Sequence, residues 1–220
     1  MFNSKNCSLS LMLFLLCYCG SYVYYGLIYI LPSVLEEHHK NDFKGQIQPS
    51  NFKWLHIRNF KSNMLTASQY DIILSDIIMT CAFEIPSDIS NGFTPNVKWI
   101  GRKGAISVGF LMSAVFASLC IIHPQFMTIY SCFLRFFINI SYNILYVFFT
   151  EAYPTYMRST AVGLCTFFSR FGGFTTPFFC DYLFLMKAIY PYIGFFIVST
   201  IGFIVSHFSL PFETLDRITY

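Results

Sequence analysis

The chain has 220 residues, of which 55% are hydrophobic, 20% aromatic and only 11% charged, against roughly a quarter charged in an ordinary soluble domain. Too few polar side chains remain to coat a globule, and the apolar residues come in long blocks with the charges collected between them, which is the pattern of a bilayer protein. The formal charge of +3 is spread over linkers without a basic run or basic helix face, which argues against nucleic acid and for the lipid bilayer as partner.

The first apolar block opens behind Lys5 like a secretory signal, but it continues through Tyr22 to Leu31. That is too long for a signal h-region and long enough to cross a bilayer, so a retained helix is predicted over 8–32. Within it Tyr18, Tyr22, Tyr25 and Tyr29 fall at i, i+4, i+7 and i+11, on one face. They read either as a partly wet, aromatic-lined wall or as core packing. The segment 33–67, with Glu36, Glu37, His38, His39 and Lys40, reads as a surface loop facing outside or a lumen. The adjacent histidines read as solvated surface rather than a metal pair.

A span over 68–88 carries Asp71, Asp76 and Glu84, and each acidic residue costs roughly 2.5–3.5 kcal/mol at mid-membrane. It inserts only if those carboxylates face protein or water. Asp76, Thr80 and Glu84 share a face, which suits a proton-coupled or cation-binding site; pairing with a buried arginine such as Arg135 is the structural alternative. The polar stretch Ser87 to Asn96 holds Ser, Asp, Asn, Gly and Pro and predicts a turn rather than a helix.

Four further spans are expected over 104–123, 126–150, 160–183 and 188–210. In the second of these Arg135, Asn139, Tyr142, Asn143 and Tyr146 fall at i, i+4, i+7, i+8 and i+11, a polar face that lipid cannot solvate. It lines a substrate path, or Arg135 simply hydrogen-bonds to neighbouring helices. Lys98, Arg102 and Lys103 in one short linker and Arg158 in another place those linkers and both termini in the cytoplasm. Cys17, Cys19, Cys81, Cys120, Cys132, Cys165 and Cys180 sit in or beside apolar blocks and read as small core residues. No catalytic motif, metal-ligand spacing or cofactor signature competes.

The segment Thr150-Glu151-Ala152-Tyr153-Pro154-Thr155-Tyr156-Met157-Arg158, with Gly163 beyond, resembles the signature between helices ten and eleven in sugar-porter, organic-ion and synaptic-vesicle-related members of the major facilitator superfamily. Gly101-Arg102-Lys103 is similar to the end of the superfamily's loop motif between helices eight and nine. Tyr24-Tyr25-Gly26, Asp76, Glu84-Ile85-Pro86, Arg135, Ser169-Arg170-Phe171-Gly172, Thr176-Pro177-Phe178 and Leu210-Pro211-Phe212-Glu213-Thr214 follow in the matching order.

The resemblance implies an all-α membrane protein of six transmembrane helices, the C-terminal half of a twelve-helix carrier whose two halves rock about a central site. It implies a secondary transporter of a small organic solute or ion rather than an enzyme, partnered by an N-terminal six-helix half. A non-transporting or degenerate membrane subunit is the alternative. Tyr22, Tyr25, Asp76, Glu84, Arg135, Asn139, Tyr142, Asn143 and Tyr146 would face the substrate path, and Arg102, Glu151, Arg158 and Arg170 would form the gating charge cluster. Two departures bear on gating: Lys98 stands where the loop motif has an acidic residue, and Ser87 to Asn96 replaces the apolar second half of helix eight.

Overall fold

The computed structural model describes residues 4–44, 67–93, 101–153 and 155–209. Within them every regular element is helical: α1 (Ser4–Lys44), α2 (Ala67–Ala82), α3 (Glu84–Phe93), α4 (Gly101–Ile122), α5 (Met127–Ala152), α6 (Thr155–Met186) and α7 (Tyr190–Ile204). Among the described residues four segments are long and apolar enough to cross a membrane: Ser10–Leu35, Gly101–Ile122, Pro124–Ala152 and Tyr190–Phe208. In α6, expected as a span, Arg158, Arg170 and Asp181 dilute the apolar character of a helix 32 residues long. α2 and α3 fall short in length, because the break at Phe83 leaves helices of 16 and 10 residues, and Asp76, Glu84 and Asp88 add polarity; taken together, at about 1.5 Å per residue, 67–93 reaches roughly 40 Å.

Two sequence expectations are corrected. The surface loop expected over 33–67 is helical as far as Lys44, because α1 runs through Pro32 and buries Val34 and Leu35 beyond it; residues 45–66 lie outside the described residues. The turn expected from Ser87 is helix α3 as far as Phe93, with 94–96 outside the described residues. The interruption falls earlier, at Phe83, where Pro86 supplies no N–H and crowds the carbonyl four residues before it. Beyond that point the polar residues of α3 stay helical because α5 gives them partners.

α1 packs along α6, and α4 packs along α5 and α7. Lipid tails are as apolar as leucine, so close packing and small residues hold such helices together. Gly109 of α4 lies so near α5 that a Cβ there would stand 2.1 Å from Ser141 Oγ, and a Cβ on Gly172 of α6 would stand 2.8 Å from the Tyr18 carbonyl of α1. Leu16, Leu27, Phe110, Phe148 and Phe195 are fully buried between these pairs. α4 opens on Gly101 with φ of 63°, a left-handed conformation open to glycine at little cost. The seven cysteines whose side chains are described are free; six are buried, as expected, but Cys81 is exposed.

Candidate functional site

The polar face of α5 turns inward and meets α3, α1 and α6 in three steps. At the first, Arg135, 5% exposed, donates from Nε to Glu84 Oε1 at 2.7 Å, and the Tyr24 hydroxyl donates to the same oxygen at 3.0 Å. One turn along, Asn139 and Asn143 donate from Nδ2 to Asp88 Oδ1 at 2.8 and 3.3 Å, and Asn143 Nδ2 also reaches Asn139 Oδ1 at 3.0 Å. The spacing explains the register, because Glu84 and Asp88 are four apart on α3 and Arg135, Asn139 and Asn143 are four apart on α5, so like faces meet turn by turn.

The third step is a hydroxyl cluster. Tyr142 and Tyr146 are linked at 2.9 Å, and both reach Ser169 Oγ of α6, at 2.6 and 3.3 Å. Ser169 meets Ser21 Oγ of α1 at 2.6 Å, and Ser21 Oγ donates to the Cys17 carbonyl. The Tyr24 and Tyr142 rings stack, 5.7 Å apart and 8° from parallel, which joins this cluster to the Arg135–Glu84 pair. The first and third steps are therefore joined, with the Asp88 carboxamides between them on the same face of α5, into a polar seam that touches four helices, in an interior where a group left without a partner costs several kcal/mol.

A cleft of about 360 Å³ opens between α1 and α6, lined by Tyr25, Ile28, Tyr29, Arg170, Gly173 and Pro177. Arg170 Nη1 donates to the Tyr25 hydroxyl at 3.3 Å, and the Tyr29 hydroxyl bridges both Asp181 oxygens at 3.0–3.1 Å. Gly173 leaves room for the Tyr25 ring, which would lie 2.9 Å from a Cβ at that position. The tyrosine stripe of α1 thus divides: Tyr25 and Tyr29 line the cleft, Tyr18 bonds Thr175 at 3.0 Å, and Tyr22 is a core residue, 6% exposed between Phe179 and Phe195.

Asp76 stands apart from the seam and accepts from Thr128 Oγ1 at 3.4 Å. Arg170 also stands apart from the other three charges proposed for gating, in the cleft. At the end of the bundle where α4 begins and α5 ends, Arg102 Nη1 pairs with Glu151 Oε2. Arg158 does not join them; its Nε is buried without a hydrogen-bond partner. The geometry explains why, since Tyr153 before Pro154 is extended, at φ −111° and ψ 140°, as residues preceding proline prefer, and α6 restarts at Thr155 with Arg158 on its first turn.

Asp88, Tyr24 and Ser169 are the participants that the sequence reading did not single out as site residues. Asp88 lay in the expected turn, and Tyr24 falls off the 18, 22, 25, 29 face. Ser169 carried no signal beyond its place beside Arg170.

Curated relatives align with half of the chain or more. SVOPL of Danio rerio, named as a transporter, is 32% identical over 146 residues, 64% of this chain and 28% of its own. The synaptic vesicle 2-related protein of Xenopus laevis is 24% identical over 211 residues, 94% of this chain and 36% of its own. Solute carrier family 22 member 15 of Xenopus tropicalis is 30% identical over 131 residues, 52% of this chain and 24% of its own.

The chain is homologous to transporters of the major facilitator type. It spans about a third of the length of the relatives that it matches most extensively. No protein-family model matches it. With four segments able to cross a bilayer and relatives named as transporters rather than enzymes, this major-facilitator relative is an integral, multi-pass membrane protein.

Proposed function

We propose that the chain forms the C-terminal six-helix half of a secondary carrier that moves a small organic solute or ion by alternating access, working with an N-terminal half supplied by the same or another polypeptide. α2 with α3, and α6, are then the fifth and sixth crossings, their charges turned toward protein or water. The observation that carries this reading is the polar seam from Glu84 and Arg135 to Ser169, because membrane helices keep such groups where solutes or protons pass. The relatives named as transporters support it. The ordered fit of α3 onto α5 favours a working carrier over a degenerate subunit.

Access is testable without knowing the solute. Tyr25→Cys, in the cleft, should react with an impermeant thiol reagent from either face of the membrane, in proportions that change together when conditions favour one state. Reaction from one face only under every condition would count against alternating access. Cysteine at Gln46 should react solely from the side opposite the termini, which tests the expected orientation.

The Arg102–Glu151 contact is the gate in this reading. Its side chains are 15% and 30% exposed, and pairs of this kind contribute about 0–1 kcal/mol, enough to bias two states a few kcal/mol apart. Glu151→Lys should shift the accessibility of Tyr25→Cys toward one face while surface level holds. Adding Arg102→Glu should restore it, and adding Arg158→Glu should not; equal rescue by both would make Arg158 the partner.

A further inference from the structure

α6 turns one face to the bundle and another away from it. Ser169, Gly172, Thr176 and Cys180 are buried, while Phe167, Phe171, Phe174 and Phe178 are exposed. At 3.6 residues per turn, Arg170 and Asp181 share an arc of about 100° with those four rings, and both are exposed. The outward residues Val108, Leu111 and Val115 of α4, and Ile193, Ile197 and Ile201 of α7, are uncharged and suit lipid.

The two charges on α6 are poorly met within the chain. Arg170 offers five N–H donors and, among the described residues, uses one, on the Tyr25 hydroxyl. Asp181 accepts there only from the Tyr29 hydroxyl. Both partners are neutral. The two ions are eleven residues apart along the helix, roughly 16 Å, so neither cancels the other. Hydrocarbon is therefore the wrong neighbour for this face, since intramembrane charges turn to protein or water. A second copy in the same orientation does not answer them either. A two-fold axis along the membrane normal brings equal depths together, which sets Arg170 against Arg170 and Asp181 against Asp181.

We infer that the Phe167–Asp181 face of α6 docks a membrane helix of the N-terminal half, one with an acidic side chain level with Arg170 and a basic or carboxamide side chain level with Asp181. The inference rests on the reading of α6 as a bilayer crossing beside such a half. The four rings pack against the same helix and keep water away from both contacts, where opposite charges attract more strongly.

The test is photo-crosslinking of the full natural protein in its own membrane, with p-benzoylphenylalanine in place of Phe174 and, as the lipid-facing control, of Ile197. Mass spectrometry of the adducts identifies the partner peptide. The probe at Phe174 should join a membrane helix of the N-terminal half that contains an aspartate or glutamate, and the probe at Ile197 should join lipid. Arg170→Glu sets like charges against each other and should lower the Phe174 yield about tenfold. Changing the acid of the captured helix to arginine in the same protein should restore it.

Lipid adducts alone at Phe174 would overturn the inference. So would a captured helix without an acidic residue, or a mixed-isotope adduct between two copies of this chain. If the Phe174 variant fails to reach the membrane, the same probe at Phe178 reads the same face. The carrier reading fails separately: an N-terminal helix captured at Phe174, with Tyr25→Cys reactive from one face only, keeps the docking and sinks alternating access. Lipid adducts with Tyr25→Cys reactive from both faces do the reverse.

Discussion

Arg135→Leu should abolish transport and destabilise the protein while leaving it in the membrane. Removing the guanidinium leaves the Glu84 carboxylate, held at 2.7 Å in the native fold, with only the Tyr24 hydroxyl as its partner from the seam. Breaking a buried pair in this way costs about 3–5 kcal/mol, and the lower end applies because the Glu84 side chain keeps 25% exposure. Insertion is governed by the apolar length of α5, which the substitution increases. Adding Glu84→Gln removes the orphaned charge and should recover most of the melting temperature without recovering uptake. If the double change recovered both, the pair would serve the fold alone. If a lipid-soluble probe labelled Asn139 as readily as Phe133, the inward direction of the seam would be wrong.

Gly172→Val should cost stability of comparable size by a different route. The Cβ would meet the Tyr18 carbonyl at 2.8 Å and the Ser21 Cβ at 3.3 Å, so α6 must move off α1, with an overpacking cost of about 1–3 kcal/mol. The upper end is expected because the obstacle is backbone, which cannot rotate away. The same movement stretches the Ser21–Ser169 bond, 2.6 Å in the native packing. Gly163→Ala on the same helix is the control: nothing lies within 4 Å of its Cβ position, and alanine is the better helix former by roughly 0.8–1 kcal/mol. It should melt at or slightly above wild type. A Gly172→Val protein that melted with wild type would mean that the α1–α6 crossing is looser than these distances.

Most of the inward direction of α5 is legible in the sequence, because a 3.6-residue period assigns Arg135, Asn139, Tyr142, Asn143 and Tyr146 to one face whatever surrounds them. On α1 the same period leaves two readings open, a wet wall and core packing, and the stripe divides between them. Tyr22 shares the stripe of Tyr18, Tyr25 and Tyr29, yet it is core, while Tyr24, off that stripe, holds Glu84. A periodic face is an arc broad enough to touch two neighbours, and only their positions decide which part of it is wet.

The sequence by itself determined that this is a membrane protein, since the number, length and apolar density of its blocks leave no other solvent able to accommodate them. It also determined which α5 residues act together and which linkers carry the charge clusters. Tertiary structure decided the rest. Ser87 to Phe93 reads as a turn by composition, because serine, aspartate and asparagine compete with the backbone for hydrogen bonds; it is helical because Asn139 and Asn143 occupy Asp88, and the Phe136 carbonyl accepts from Ser87 Oγ. Glu151 lies seven residues from Arg158 in sequence, yet it pairs with Arg102, forty-nine residues away, because α4 and α5 run antiparallel and bring those ends together. Local pattern specifies what a side chain needs, and the packing of distant helices specifies which partner supplies it.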